Sequence, residues 1–445
     1  MGGQPQPPGP SGSSGRTILD YEADRLGFLT RMAEQYGDLV RIDDRAWLVN
    51  EPRAAQTVLQ ATGREFAGTR DFLHQRTAGA ARDDAVQRIT GEMTRTLGRW
   101  TSDPGVARMQ QLTGAAVAGL PEKGFDPIEF ARRHSLELIS EICFGPQAAA
   151  VREPSRVLLD ALLARMNSPW TLPSWLPTRN NRRVRRAHVT LNTRLAALVE
   201  QPARCGPGSM VEVLSGPDLV PGGLGRAAVA RWLTSLLLPA QEPPAGGLGW
   251  TLFELVNRPE WHSRAAAEAA ACDPVTADPA EVLDRFPVIS ALIYESLRLH
   301  PPTWLMVRQA RLTSDILGYQ TVPGQLLYVS PWTLHRDARL YDRPNDFDPQ
   351  RWLDHDRRRR SLNGFFSYGR GPNRCPGYAI NIAFTTLVTA TLIRQRVIAD
   401  ASAETVRADT RRAMLPAGLR LDLPRRLPSP PTQAHQPDPS TMVGR

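Results

Sequence analysis

A mainly α fold with a small β portion, built as one large domain, is what this sequence predicts, and three observations carry the prediction. Apolar residues recur at helical spacing through much of the chain between residues 20 and 299. Strand-like runs are confined to two short stretches, 38–50 and 316–329. No linker divides the interior, so residues 17–424 read as a single domain. The flanking stretches 1–16 and 425–445, rich in Pro, Gly, Ser or Gln, are expected to be disordered tails.

The elements follow in order. Asp20–Tyr36 has helical spacing and stops before Gly37. Leu39–Ile42 and Trp47–Val49 suit the two arms of a hairpin. Helical patterns then cover Asp83–Trp100, Pro127–Phe144, Arg152–Met166, Val184–Glu200 and a long Leu224–Asn257. Ala280–Leu299 predicts a further helix that ends ahead of Pro301-Pro302, because a residue before proline avoids the helical region. Turn signals at Gly318 and Pro323-Gly324 punctuate the later strands.

Composition excludes several classes. With 445 residues and 41% hydrophobic content the chain can bury a sizeable core. Its four cysteines are far apart and never at CxxC spacing, which argues against a disulfide framework or a four-thiolate zinc site. The formal charge of +9 could suggest nucleic acid. Yet Lys123 is the single lysine among 54 basic residues, and the arginines are spread along the chain, with local clusters at Arg182–Arg186 and Arg357–Arg360, so they read as solvated faces rather than a nucleic-acid surface. No apolar run approaches the ~18–20 residues that span a bilayer. The first sixteen residues have no apolar signal core, and a cytoplasmic protein is expected.

The chemistry concentrates in Gly364–Ala379, GFFSYGRGPNRCPGYA. Cys375 sits among Gly369, Gly371, Gly377, Pro372 and Pro376, just ahead of a helical apolar run. A cysteine at a helix N-terminus feels the positive dipole end and nearby N–H groups, which favours the thiolate. Glycines there would let a flat, bulky ligand approach the backbone. On these residues alone, a structural cysteine in an ordinary loop fits equally well.

The run Tyr368–Gly377, YGRGPNRCPG, resembles the haem-binding loop of the cytochrome P-450 family. Tyr368 stands where phenylalanine is usual, and Asn373 where a basic residue usually meets a haem propionate. The resemblance implies a haem-thiolate fold in which Cys375 is the axial ligand of haem b iron. Tyr368, Gly369, Gly371 and Gly377 would shape the cofactor loop. A thiolate ligand pushes electron density onto iron and favours dioxygen cleavage. No CxxCH occurs, so the haem is expected to be held non-covalently.

Two further segments match in the correct order. Tyr294–Pro302, YESLRLHPP, places Glu295 and Arg298 on one helical face, and Phe347–Trp352, FDPQRW, is similar to the family's FxPERF with Gln350 for glutamate. The resemblance implies that Glu295, Arg298 and Arg351 form a buried charge network. It extends from about Leu26 to about Leu421. Arg308 stands where the family often places a propionate arginine, against the plainer reading of a solvated strand residue. Arg88 stands at a second such position, although Asp84 replaces the histidine of that segment.

Leu236–Pro244, LLLPAQEPP, aligns with the family's oxygen-activation helix. Glu242 keeps the acid, but Pro243 replaces the threonine whose hydroxyl serves proton delivery. Proline removes an N–H and clashes with the carbonyl four residues back, so Pro239, Pro243 and Pro244 predict a kinked, hydrated groove facing the haem. Either groove water and Glu242 replace the threonine, or proton delivery is altered toward coupling, desaturation or peroxide-driven chemistry.

The resemblance therefore implies hydroxylation or related oxidation of a small, largely apolar molecule. It would use O2 and NAD(P)H-derived electrons from a separate ferredoxin or flavodoxin. Arg357–Arg360 would steer such an acidic partner or simply be a solvated loop. Trp304 and Met306 are pocket candidates, with core packing as the alternative. A non-catalytic haem-binding or recruiting domain is the second functional reading, since it fits the missing threonine.

Overall fold

The computed structural model describes residues 5–11, 14–68, 80–166, 173, 175–220, 222–402 and 405–425. The expected tail 425–445 lies almost wholly outside them. The first element, α1 (Ser14–Ala23), gives way at Asp24 to α2 (Arg25–Tyr36), so the helix expected over Asp20–Tyr36 is two helices. The reason is local: Asp24 turns its carboxylate into the N-cap of α2, accepting from Gly27 N at 3.0 Å. The hairpin follows as β1 (Leu39–Asp43) and β2 (Ala46–Val49), then α3 (Pro52–Gln60) and β3 (Phe66–Ala67).

The helical body runs through α4 (Ala80–Gly98), α5 (Asp103–Ala118), α6 (Pro127–Phe144), α7 (Ala149–Met166), α8 (Arg179–Glu200) and α9 (Met210–Ser215). Helix α6 shows why its ends fall where predicted. Asp126 caps the start by accepting from Ile128 N and Glu129 N, Pro127 opens the first turn, and Gly145 closes the end at φ 46°. The helix expected over Leu224–Asn257 is broken into α10 (Arg226–Leu237) and α11 (Glu242–Val256). After α12 (Pro259–Ala271), the pattern read over Ala280–Leu299 yields a 3-10 turn at Val282–Arg285 and then α13 (Pro287–Leu299), because Pro287 starts a new helix.

Strands β4 (Met306–Ala310), β5 (Asp315–Ile316), β6 (Tyr319–Gln320) and β7 (Leu326–Val329) come next. Then follow α14 (Pro331–Leu334), α15 (Gln350–Leu353), α16 (His355–Asn363) and α17 (Tyr378–Gln395). Short strands β8 (Ala399–Asp400), β9 (Arg407–Asp409), β10 (Leu415–Ala417) and β11 (Leu421–Asp422) complete the described chain. The main sheet has the order β1-β2-β7-β4-β3, with β2 and β7 parallel and the other pairs antiparallel.

The N-terminal stretch is not wholly a free tail. Arg41 N on the edge strand β1 donates to Pro8 O at 2.8 Å, and Pro7 is buried, so residues 5–11 cover part of an edge that would otherwise expose its N–H groups. Helix α11 lies at the centre of the body, packed on α6, α13 and α17. Its glycines allow that closeness. A Cβ on Gly246 would come within 2.6 Å of Met414 O, and one on Gly249 within 2.6 Å of Ile128 Cδ1.

Candidate haem-thiolate site

The loop before α17 is closed by its own backbone. Gly369 N donates to Phe366 O at 2.8 Å, and Cys375 N donates to Tyr368 O at 2.8 Å. Gly369 and Gly371 both hold φ 69°, a left-handed conformation open mainly to glycine. Gly371 is constrained twice, since a Cβ there would fall 2.7 Å from both Gln60 Cα and Leu59 O at the end of α3. The loop thereby presents Cys375, exposed, three residues before the first residue of α17, whose N-cap is Gly377. By contrast, Cys143 and Cys205 are sealed in the core, where burial pushes both thiols up.

Strand β4 brings the second part. Met306, Arg308 and Ala310 alternate with outward neighbours and share the buried face. Met306 Sδ lies 3.7 Å from where a Cβ on Gly369 would sit, so this face meets the cysteine loop. Arg308 is 5% exposed, with Nε donating to Thr62 Oγ1 at 2.8 Å and Nη1 to Val307 O at 2.9 Å. The donor set fits haem: an accessible thiol at a helix head, glycines that keep the loop close, and a buried guanidinium on the adjoining strand. Met306, expected as a pocket residue, thus lies against the cysteine loop.

Other expected site residues fall elsewhere. Trp304 is a core residue: its Nε1 donates to Arg412 O at 2.8 Å and it packs with Trp250, Leu48 and Met414. Arg88 is exposed on α4 and lines an open groove with Glu92, Arg95, Val213 and Asp218, none of them from the cysteine loop. Asp84, read as the replaced histidine, lies among residues whose side chains are not described.

The charge network is present and sealed. Glu295, Arg298 and Arg351 are 0%, 0% and 2% exposed. Arg298 Nε and Nη2 donate to the two Glu295 oxygens at 2.8 and 2.9 Å, and Arg351 Nε donates to Glu295 Oε1 at 3.1 Å. Trp352 Nε1 and Asp348 N complete the carboxylate's shell at 2.8 and 2.7 Å. The remaining Arg298 protons go to the carbonyls of His335, Pro344 and Asp346. A planar fork satisfied at every point suits a fully buried arginine.

His335 carries this network to the cysteine loop, a role the sequence reading did not assign. Phe366 N donates to His335 Nε2 at 2.8 Å, which leaves Nδ1–H to donate to Arg298 O at 2.8 Å. The ring, stacked on Phe365 at 5.5 Å, is thus neutral, and burial pushes its pKa down to about 3. An unfolded histidine takes its proton near pH 6.5, so His335 contributes stability above that pH and loses it as pH falls toward 3. We expect His335→Asn to flatten the pH dependence of unfolding free energy in this window, where one proton changes it by at most about 1.4 kcal/mol per pH unit. Urea melts at several pH values check this; parallel curves for both proteins would contradict it.

The prolines of the central segment break the helix rather than kink it. Leu238–Gln241 is a turn, and Pro243 and Pro244 fall in the first turn of α11, where the missing N–H groups cost nothing. Gln241, 1% exposed, donates its side-chain amide to Leu237 O at 3.0 Å and so closes the end of α10. Glu242 is clamped. Arg132 Nε donates to its Oε1 at 2.6 Å and Arg412 Nη1 to its Oε2 at 3.0 Å. Both oxygens therefore already accept, tying α6, α11 and the turn before β10 together.

The family model described as Cytochrome P450 matches residues 7–398. The heme domain of cytochrome P450DA superposes with a TM-score of 0.77, covering 96% of this chain and 98% of that one at 18% identity, a likeness of fold. Among curated relatives, cyclooctatin synthase of Streptomyces melanosporofaciens is 28% identical over 56% of this chain and 55% of its own length. Pentalenene oxygenase of Streptomyces avermitilis is 27% identical over 63% of each. The chain thus spans little more than half the length of the curated relatives it matches. With its thiol loop, buried charge network and matched length taken together, the chain belongs to the cytochrome P450 family.

Proposed function

We propose that the protein is a haem-thiolate monooxygenase acting on a small, largely apolar organic molecule. The observation that supports this best is the Cys375 loop, which presents an exposed cysteine at the head of α17 where Met306 of β4 approaches it. Bound haem would supply the oxygen chemistry; the chain's residues bind and orient it. Cys375 would hold its iron through sulfur, and Arg308 would offer its guanidinium to a propionate. The relatives named cyclooctat-9-en-7-ol 5-monooxygenase and pentalenene oxygenase favour an alicyclic substrate.

Electrons would come from a separate ferredoxin- or flavodoxin-type donor. Arg358, Arg359 and Arg360 are exposed on α16, and Arg370 joins that helix to the cysteine loop by donating to Leu362 O at 2.6 Å. Positive charge beside the loop favours an acidic partner. Among the described residues no helix is long and apolar enough to cross a membrane.

Proton delivery departs from the family's pattern, since Pro243 and Pro244 offer no hydroxyl and Glu242 is held by two arginines. In this reading water or a substrate hydroxyl delivers the proton, and Glu242 positions the start of α11. Glu242→Gln should then lower stability by about 1–3 kcal/mol while product per NAD(P)H stays unchanged. A fall in that ratio in a fully folded variant would return Glu242 to the relay. The function as a whole is tested by the carbonyl spectrum of the reduced protein together with substrate-dependent NAD(P)H use. A sulfur-ligated spectrum without any such use would favour a non-catalytic haem-binding domain.

A further inference from the structure

A second charged feature lies away from the cysteine loop, between α7 and α8. A cavity of about 600 Å3 is lined by Arg179, Arg182, Arg183 and Arg186 of α8 and by Glu153 and Val157 of α7. The four arginines share one helical face at spacings of three and four residues, where like charges repel. Helix α8 carries no acid until its last residue, Glu200. Both acids of α7 pair with Arg156, Glu153 at 2.7 Å and Asp160 at 2.9 Å, so the carboxylate of Glu153 that lines the cavity is already neutralised by a neighbouring arginine. All four are exposed and solvated, and an anion seated among them would relieve the repulsion that remains.

We propose that this cavity is a binding site for an anion carrying two adjacent phosphate groups. Arg179 to Arg186 spans about 10 Å, or two turns, of helix, so an anion extended along the axis can engage more of the four side chains at once than a single phosphate. A diphosphate can engage guanidinium groups from successive turns, each in the paired geometry that arginine offers phosphate oxygens. The same chemistry could come from a soluble diphosphate or from the headgroups of an anionic lipid surface. The site is independent of the haem-dependent reading, because none of its lining residues belongs to the cysteine loop.

Calorimetric titration of the full-length holoprotein with inorganic pyrophosphate at low salt tests it. Saturable one-to-one binding is expected, with orthophosphate about tenfold weaker. Arg182→Gln with Arg186→Gln should weaken pyrophosphate at least about tenfold, and Arg179→Gln with Arg183→Gln likewise. Both pairs should melt no lower than wild type, because they relieve like-charge contacts. Arg64→Gln with Arg231→Gln removes the same charge from exposed positions outside the cavity and should leave affinity within about twofold. No saturable binding, or equal weakening by the outside pair, would overturn the proposal. Co-sedimentation with phosphatidylglycerol–phosphatidylcholine vesicles separates the sources. Retention displaced by pyrophosphate identifies lipid headgroups, and absence of retention with pyrophosphate binding intact identifies a soluble diphosphate. Retention that pyrophosphate cannot displace counts against the site.

Discussion

Cys375→Ser should abolish the sulfur-ligated carbonyl spectrum of the reduced protein and reduce substrate oxidation to background, while the fold survives. The two halves of this expectation have separate causes. A serine hydroxyl is a hard, weakly acidic donor and cannot replace the polarisable thiolate on iron. The loop itself is held by backbone groups, Cys375 N to Tyr368 O and Gly369 N to Phe366 O, which serine leaves in place. Circular dichroism and thermal melting should therefore match wild type as the spectrum changes. An unaltered spectrum would move the ligand elsewhere, and Cys143 and Cys205 are too deeply buried to serve.

Glu295→Ala should have the opposite signature, destabilising the whole protein by about 3–5 kcal/mol. The carboxylate accepts from Arg298, Arg351, Trp352 and Asp348 N, so its removal strands two guanidinium groups that no water reaches. The loss is transmitted to the cysteine loop, because Arg298 O accepts from His335 and His335 accepts from Phe366 N. Urea melts and haem content after purification would read it. A change below about 1 kcal/mol would show that the network adds little to stability, as exposed pairs do. Taken together, the two variants separate the residue proposed to hold the cofactor from one that holds the fold around it.

Much of the site is legible in the sequence because it lies in short, ordered segments. Tyr368–Gly377 carries its glycines at the positions where the backbone needs them, and Glu295 and Arg298 are placed on one face by helix period alone. Helix ends were equally readable where a cap and a proline or glycine coincide, as at Asp126, Pro127 and Gly145. The central segment differs from the expected kinked helix, being two helices, α10 and α11. Three prolines signalled disruption, but whether a helix kinks or stops depends on the partners its ends can find, here the Gln241 amide on Leu237 O.

The sequence by itself determined the mainly α fold class through helical spacing and set Glu295 and Arg298 on one helical face, while Cys375 and Arg351 were singled out by the resemblance of their segments to a known family. Only the tertiary structure decided which partners Glu242, Trp304 and His335 meet and where Arg88 lies. Glu242 meets Arg132 and Arg412 across 110 and 170 residues, and Trp304 meets Arg412 across 108. Folding brings such partners together, and a side chain able to carry a proton, line a pocket or anchor a helix takes the role its neighbours leave it.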